Sequence, residues 1–228
     1  MLYTFGDSFT WGRNLFDVSE EHRVKHIWPT KLAEKLNVEY INFAVPASSN
    51  WRTARKLLNL NLSSNDIVII GWSEFSRFEF GVNPSHISPK NNTIADVTEW
   101  EEVDGKIRTR KFNHLLSDRT SDQKVKEFNK LAYSEFYNEQ WFQEMFRVMF
   151  HSCCRVLEQS GCKWIVFNTW AKQYDKISTD FDIPQYFLGQ KSTMTEYIRN
   201  NEKLFYWSEE EHELVADVLC NKLNKLYG

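Results

Sequence analysis

No apolar run in this chain is long enough to cross a bilayer. The longest clear one, Ile-Val-Ile-Ile-Gly-Trp at 67–72, falls far short of the roughly 20 residues that a spanning helix needs. No basic segment followed by an apolar core opens the sequence, so neither a membrane partner nor a secretory signal is expected, and the expected location is the cytoplasm. Neither sign of charge dominates: 28 Lys and Arg stand against 31 Asp and Glu, a formal net charge of −3. No run of basic residues is interleaved with aromatics along a face, which argues against a nucleic-acid partner. Cysteine is scarce. Cys153, Cys154, Cys162 and Cys220 show no C-x-x-C spacing, and the adjacent pair would project in different directions from a helix. Buried reduced thiols fit this pattern better than a zinc site or a disulfide framework. There is no internal repeat, low-complexity segment, Gly-rich phosphate loop, paired metal-ligand cluster or Gly-x-Ser-x-Gly elbow. These absences argue against an ATPase, a metallohydrolase and the α/β-hydrolase class, and no metal or cofactor is expected.

What is present suffices for one sizeable domain over residues 1–228, with 42% hydrophobic residues to bury a core. Strand-like and helix-like segments alternate, which predicts a parallel sheet with helices on both faces. Strands are expected at 2–5, 38–43, 66–71 and 163–168, the third being a continuous β-branched run suited to burial on both faces. Helices are expected at 28–36, with Pro29 in the first turn, and at 50–58. A longer one within 128–160 carries Phe136, Trp141, Phe142, Met145, Phe146, Met149, Phe150, Cys153 and Val156 as one broad stripe, with Gly161 as its stop. A short helix is expected at 191–200. Ser208-Glu-Glu-Glu211 reads as a capping box opening a last helix over 209–226, with Leu214, Val215, Val218, Leu219 and Leu223 inward. Between the third strand and the long helix the rhythm breaks. Residues 79–128 are polar and aperiodic and read as an insertion or lid, with a hairpin turning at Asp104-Gly105.

The segment of greatest chemical interest lies at the start. Leu2 to Phe5 run into Gly6-Asp7-Ser8, and a strand that ends in such a turn delivers its next hydroxyl to the carboxyl edge of a sheet, where open α/β folds place ligands. Ser8 is the candidate nucleophile. Two further segments fall after strands: 42–50 (Asn-Phe-Ala-Val-Pro-Ala-Ser-Ser-Asn) and Gly71-Trp72-Ser73-Glu74. Asn168 and Trp170 follow the fourth strand. Trp11, Trp51, Trp72, Trp170 and Trp207 all lie beyond strand ends or at helix starts, where aromatic faces suit sugar rings, although packing is the commoner role of each. Glu74 and Arg77 are placed to order the third loop as an ion pair or to read a polar substrate.

In this order the blocks resemble the SGNH (GDSL-type) hydrolases. Trp28-Pro-Thr-Lys-Leu-Ala33 is similar to a stretch that members carry before the second strand. The resemblance implies a flavodoxin-like three-layer α/β/α sandwich with about five parallel strands and a large insertion after the third. It also implies serine ester hydrolysis without a cofactor, with a small-molecule or carbohydrate ester as substrate. By the family pattern Ser8 attacks, the N–H groups of Ser8 and Ala47 and the hydroxyl of Ser73 form the oxyanion hole, and Asp7 orders the loop. The chain departs from the family where the base should be. Tyr206 stands at the catalytic histidine position, Lys203 at the preceding aspartate, and His212 at a second, usually non-catalytic histidine. A base from His212, from His22, His26, His86, His114 or His151, or from Tyr206 itself stays open, as does a binding protein on the same scaffold that has lost catalysis. The block Gly71-Trp-Ser-Glu-Phe-Ser-Arg77 looks like that of SGNH-like proteins of tailed phages.

Overall fold

A computed structural model of the chain describes residues 1–46, 48–74, 77, 79–82, 96–103, 106–114, 127, 130–131, 134–135, 138–169, 184–187, 193–198 and 207–228, with the backbone alone over 79–114. Strand β1 (Leu2–Phe5) is followed by three short helices, α1 (Ser8–Trp11), α2 (Arg13–Phe16) and α3 (Glu20–His26). Next come α4 (Trp28–Leu36), β2 (Tyr40–Asn42), α5 (Asn50–Leu58) and β3 (Ile67–Trp72). Strands β4 (Glu79–Val82), β5 (Asp96–Val103) and β6 (Lys106–His114) precede the long helix α6 (Glu139–Ser160). The chain ends through β7 (Lys163–Asn168), α7 (Met194–Ile198) and α8 (Glu209–Tyr227).

The main sheet has the order β2-β1-β3-β7, parallel throughout. An isolated parallel bridge from Val166 to Tyr186 marks a further position beside β7. This is the flavodoxin-like order: successive strands leave β1 in opposite directions, and the crevice above the β1/β3 boundary is the switch point where such sheets bind ligands.

Each strand residue chooses a face by its parity. Val68, Ile70, Trp72, Trp164 and Val166 join Ala54 and Leu57 of α5 and Phe146, Phe150, Cys153 and Leu157 of α6 in one core. Ile69, Ile165 and Phe167 join Trp28, Leu32 and Ala33 of α4 and Val215, Ala216 and Leu219 of α8 in the other. The result is an α/β/α sandwich. The continuous apolar run of β3 is needed because both of its faces are covered.

Local signals end the helices where expected. Pro29 lies in the first turn of α4 and Asn37 closes it with φ 52°; Gly161 closes α6 with φ 69°; the Ser208 and Glu211 side chains cap each other's backbone N–H groups at α8. Two stripes differ from the expected ones. Trp141 is 54% and Leu214 42% exposed, since the inward face of α6 runs through Phe142, Phe146, Phe150 and Leu157, and that of α8 through His212, Val215, Leu219 and Leu223. Phe136 lies outside the described residues.

The expected hairpin pairs Val103 with Lys106 and extends to Asp96 and Asn113, with β4 as a third antiparallel strand against β6. Much of the rest of 79–128 lies outside the described residues. All four cysteines are free; Cys153, Cys154 and Cys162 are buried, and burial pushes the Cys153 thiol up to about 12. Among the described residues no helix is long and apolar enough to cross a membrane.

Candidate functional site

At the carboxyl edge of the sheet the first three loops are bound to one another through Asp7. Its side chain is completely buried. One carboxylate oxygen, Oδ1, accepts the Phe9 N–H at 3.1 Å, which makes Asp7 the N-cap of α1. Oδ2 accepts the Ser73 hydroxyl at 2.8 Å and lies 3.1 Å from Arg77 Nη1. Arg77 Nη1 also donates to Ser73 Oγ at 2.8 Å. Asn50, the first residue of α5, pairs reciprocally with the Ser73 backbone: its amide donates to the carbonyl and its Oδ1 accepts the N–H, both at 2.8 Å. The loops after β1, β2 and β3 are thus joined by charge-assisted and amide hydrogen bonds in a buried setting, where such bonds are strongest.

Ser8 follows Asp7 as the first residue of α1 and is 6% exposed. Among the described residues neither its hydroxyl nor its N–H has a hydrogen-bond partner. The tightness of this corner accounts for Gly6. A Cβ there would stand 2.1 Å from Thr10 Oγ1 and 3.2 Å from the Gly71 carbonyl oxygen, and a Cβ on Gly71 would stand 2.7 Å from Thr169 Cγ2. Helix α1 therefore rests directly on the strand ends, which two glycines keep clear. At Gly12 the reason is conformational: φ is 82°, the left-handed turn that separates α1 from α2.

The remaining residues singled out from sequence separate into distinct settings. The Ser73 hydroxyl spends its one proton on Asp7, so in this arrangement it braces the loop and has none left for an oxyanion. Trp72 is fully buried among Phe146 and Phe150 on the α5/α6 side, and Trp207 is fully buried against Phe9 and His212. Neither presents a face to a sugar. Trp11 is half-buried beneath the Arg23 guanidinium, 4.2 Å from the ring centroid. Asn168 is fully buried and accepts the Tyr186 hydroxyl at 2.8 Å. Arg77 reaches across to Asp7, with Glu74 half-buried in the same loop. Ala47, Trp170 and Tyr206 lie outside the described residues, as do His86 and the side chain of His114.

His212 is buried within α8. Its Nδ1 accepts the Trp28 N–H at 3.2 Å, satisfying one of the first-turn donors of α4 that the Ile27 N-cap does not. Its Nε2 faces Gly12, the end of α1 opposite Ser8. Desolvation lowers its pKa to about 3. The ring is neutral, its proton is on Nε2 and its lone pair is engaged, so its chemistry is that of an acceptor for a helix end.

Two groupings escape the sequence reading. Asn50 lies within a segment recognised as site-forming, yet nothing local distinguishes it from Ser48 or Ser49. The second grouping is His22, His26 and Glu209. The two histidines, named from sequence only as candidate bases, occupy successive turns of α3 with rings stacked at 4.3 Å between centroids. His22 Nε2 is 3.5 Å from Glu209 Oε2, and His26 Nδ1 lies against Glu209 Oε1. The His-x-x-x-His spacing is visible in the sequence; the carboxylate comes from the start of α8, 183 residues beyond His26 (209 − 26). No protein-family model matches the chain, and no curated protein sequence matches it significantly.

Proposed function

We propose that this chain is a serine ester hydrolase of the SGNH type in which Ser8 is the nucleophile. The observation that carries the reading is the state of Ser8: an uncommitted hydroxyl and an uncommitted N–H, among the described residues, at the switch point of the sheet. The preceding Asp7 is locked by Ser73 and Arg77. A nucleophile held on a braced loop loses little freedom on reaching the transition state. Ser8 Oγ attacks the ester carbonyl and gives its proton to a base. The Ser8 N–H stabilises the oxyanion, and the C–O bond breaks as the protonated base gives its proton to the departing oxygen and the alcohol leaves. Water, deprotonated by the same base, then hydrolyses the acyl-enzyme to the acid while the proton returns to Ser8 Oγ. The 6% exposure of Ser8 favours a small acyl group, such as the acetyl of an acetylated sugar. With the lone pair of His212 engaged by Trp28, the base falls to another group.

The same engagement of His212, together with the committed proton of Ser73, favours a second reading: a ligand-binding protein on this scaffold without hydrolysis. Fluorophosphonate labelling separates the two. The hydrolase reading expects labelling of the wild type, none of Ser8→Ala, and turnover of p-nitrophenyl acetate lost in the same variant. Equal labelling of both proteins removes Ser8 from the mechanism. No labelling and no turnover in the wild type supports the binding reading.

A further inference from the structure

We infer that His22, His26 and Glu209 form a binding site for a divalent transition metal of the zinc class. The inference is independent of the reaction assigned to Ser8. Two imidazoles and one carboxylate, each offering one ligand atom, converge so that these atoms lie within 4.8 Å of one another. Ligands bound to zinc at 2.0–2.2 Å in tetrahedral geometry stand about 3.4 Å apart. The 3.5 Å between His22 Nε2 and Glu209 Oε2 already matches that edge.

The second observation concerns His26. Its Nδ1 is enclosed and makes no directed hydrogen bond, although the Glu209 carboxylate lies against it. An enclosed ring nitrogen with a carboxylate beside it and no aligned bond is a poor arrangement for a purely structural pair. It is a good one for two ligands that a cation would separate and satisfy.

Donor chemistry narrows the ion. Two nitrogens and one oxygen suit Zn²⁺ and its first-row neighbours, whereas Mg²⁺ and Ca²⁺ call for oxygen. The backbone supplies rigidity: the histidines are one turn apart on a helix capped by Ser19, and Glu209 opens the helix capped by Ser208. The side chains of His22, His26 and Glu209 keep 29%, 18% and 44% exposure. Water can therefore enter and take a fourth position, as it does where three protein ligands hold zinc. A bound ion would tie α3 to the start of α8.

The test uses untagged full-length protein stripped with a chelator. Calorimetric titration with ZnCl₂ should show one equivalent bound, and MgCl₂ none. Glu209→Gln and His22→Ala should each weaken zinc by at least the roughly 10–100-fold typical of losing a supporting residue, while His151→Ala on α6 changes nothing. A readout that needs no variant is carbethoxylation mapped by mass spectrometry, in which zinc should protect His22 and His26 but not His151. Absence of stoichiometric zinc binding, binding undiminished in both ligand variants, or no selective protection would each overturn the site and leave a histidine–carboxylate ion pair in its place.

Discussion

Asp7 is the residue on which the carboxyl edge turns. Completely buried, it pairs with Arg77, accepts the Ser73 hydroxyl and caps α1 through Phe9. Removing it takes the buried carboxylate away from Arg77 and the Ser73 hydroxyl, and breaking a buried pair by deleting one partner is strongly destabilising. Asp7→Ala is therefore expected to lower the unfolding free energy by about 3–5 kcal/mol, measured by urea denaturation. Asp7→Asn keeps a cap acceptor and should lose less. A loss below about 1 kcal/mol for Asp7→Ala would mean that the brace is not formed. Gly6-Asp7-Ser8 was legible in the sequence as a strand-end turn, and an ordering role for Asp7 was only what the family resemblance implied. That Ser73 would be its brace was not, because a serine hydroxyl serves equally as an oxyanion donor and only the partner's position selects the role.

At the scale of elements, the fit between α1 and the sheet depends on an absence of side chains. With Thr10 Oγ1 2.1 Å from where a Cβ of residue 6 would be, Gly6→Ala must displace α1 or distort the end of β1. Overpacking of this kind costs about 1–3 kcal/mol, so the thermal midpoint of Gly6→Ala should fall by several degrees. The same substitution at Gly161, where φ is 69° but only Ser64 Cβ is near at 3.8 Å, tests backbone strain without a clash. The helices announced themselves to the extent that local chemistry made them: Ser208 and Glu211, Pro29 and Gly161 each act within one turn. The short helices between residues 8 and 26 did not: at four, four and seven residues they are too short for a helical period to show, and contacts between elements help to hold them. Arg23 reaches the Trp11 carbonyl at 2.6 Å, and His22 and His26 meet Glu209.

Across the whole molecule, His212 links the α4 and α8 layer to the solution pH. The folded ring has a pKa near 3 against 6.5 as its ordinary value. Below pH 6.5 the unfolded chain takes up a proton that the folded ring refuses. The stability present above that pH falls as pH drops from 6.5 toward 3. Between pH 7.5 and 5 this site alone should account for about 2 kcal/mol. His212→Asn retains an acceptor for the Trp28 N–H and cannot titrate. Its denaturation midpoints should therefore lose this slope, and a wild-type and variant pair with parallel pH profiles would show that the imidazole is not held neutral.

The sequence alone determined the alternation of strands and helices, the doubly buried third strand and the position of Ser8 at the end of the first. Each of these depends on periodicity or on neighbours within a few residues, which the linear order preserves. Tertiary structure alone decided that Asn50, Ser73 and Arg77 converge on Asp7, that His212 caps α4, and that Glu209 meets His22 and His26. Those pairings join residues up to 187 positions apart (209 − 22), and the order of the parallel sheet together with the packing of helices on its faces, not any local preference, brings them into contact.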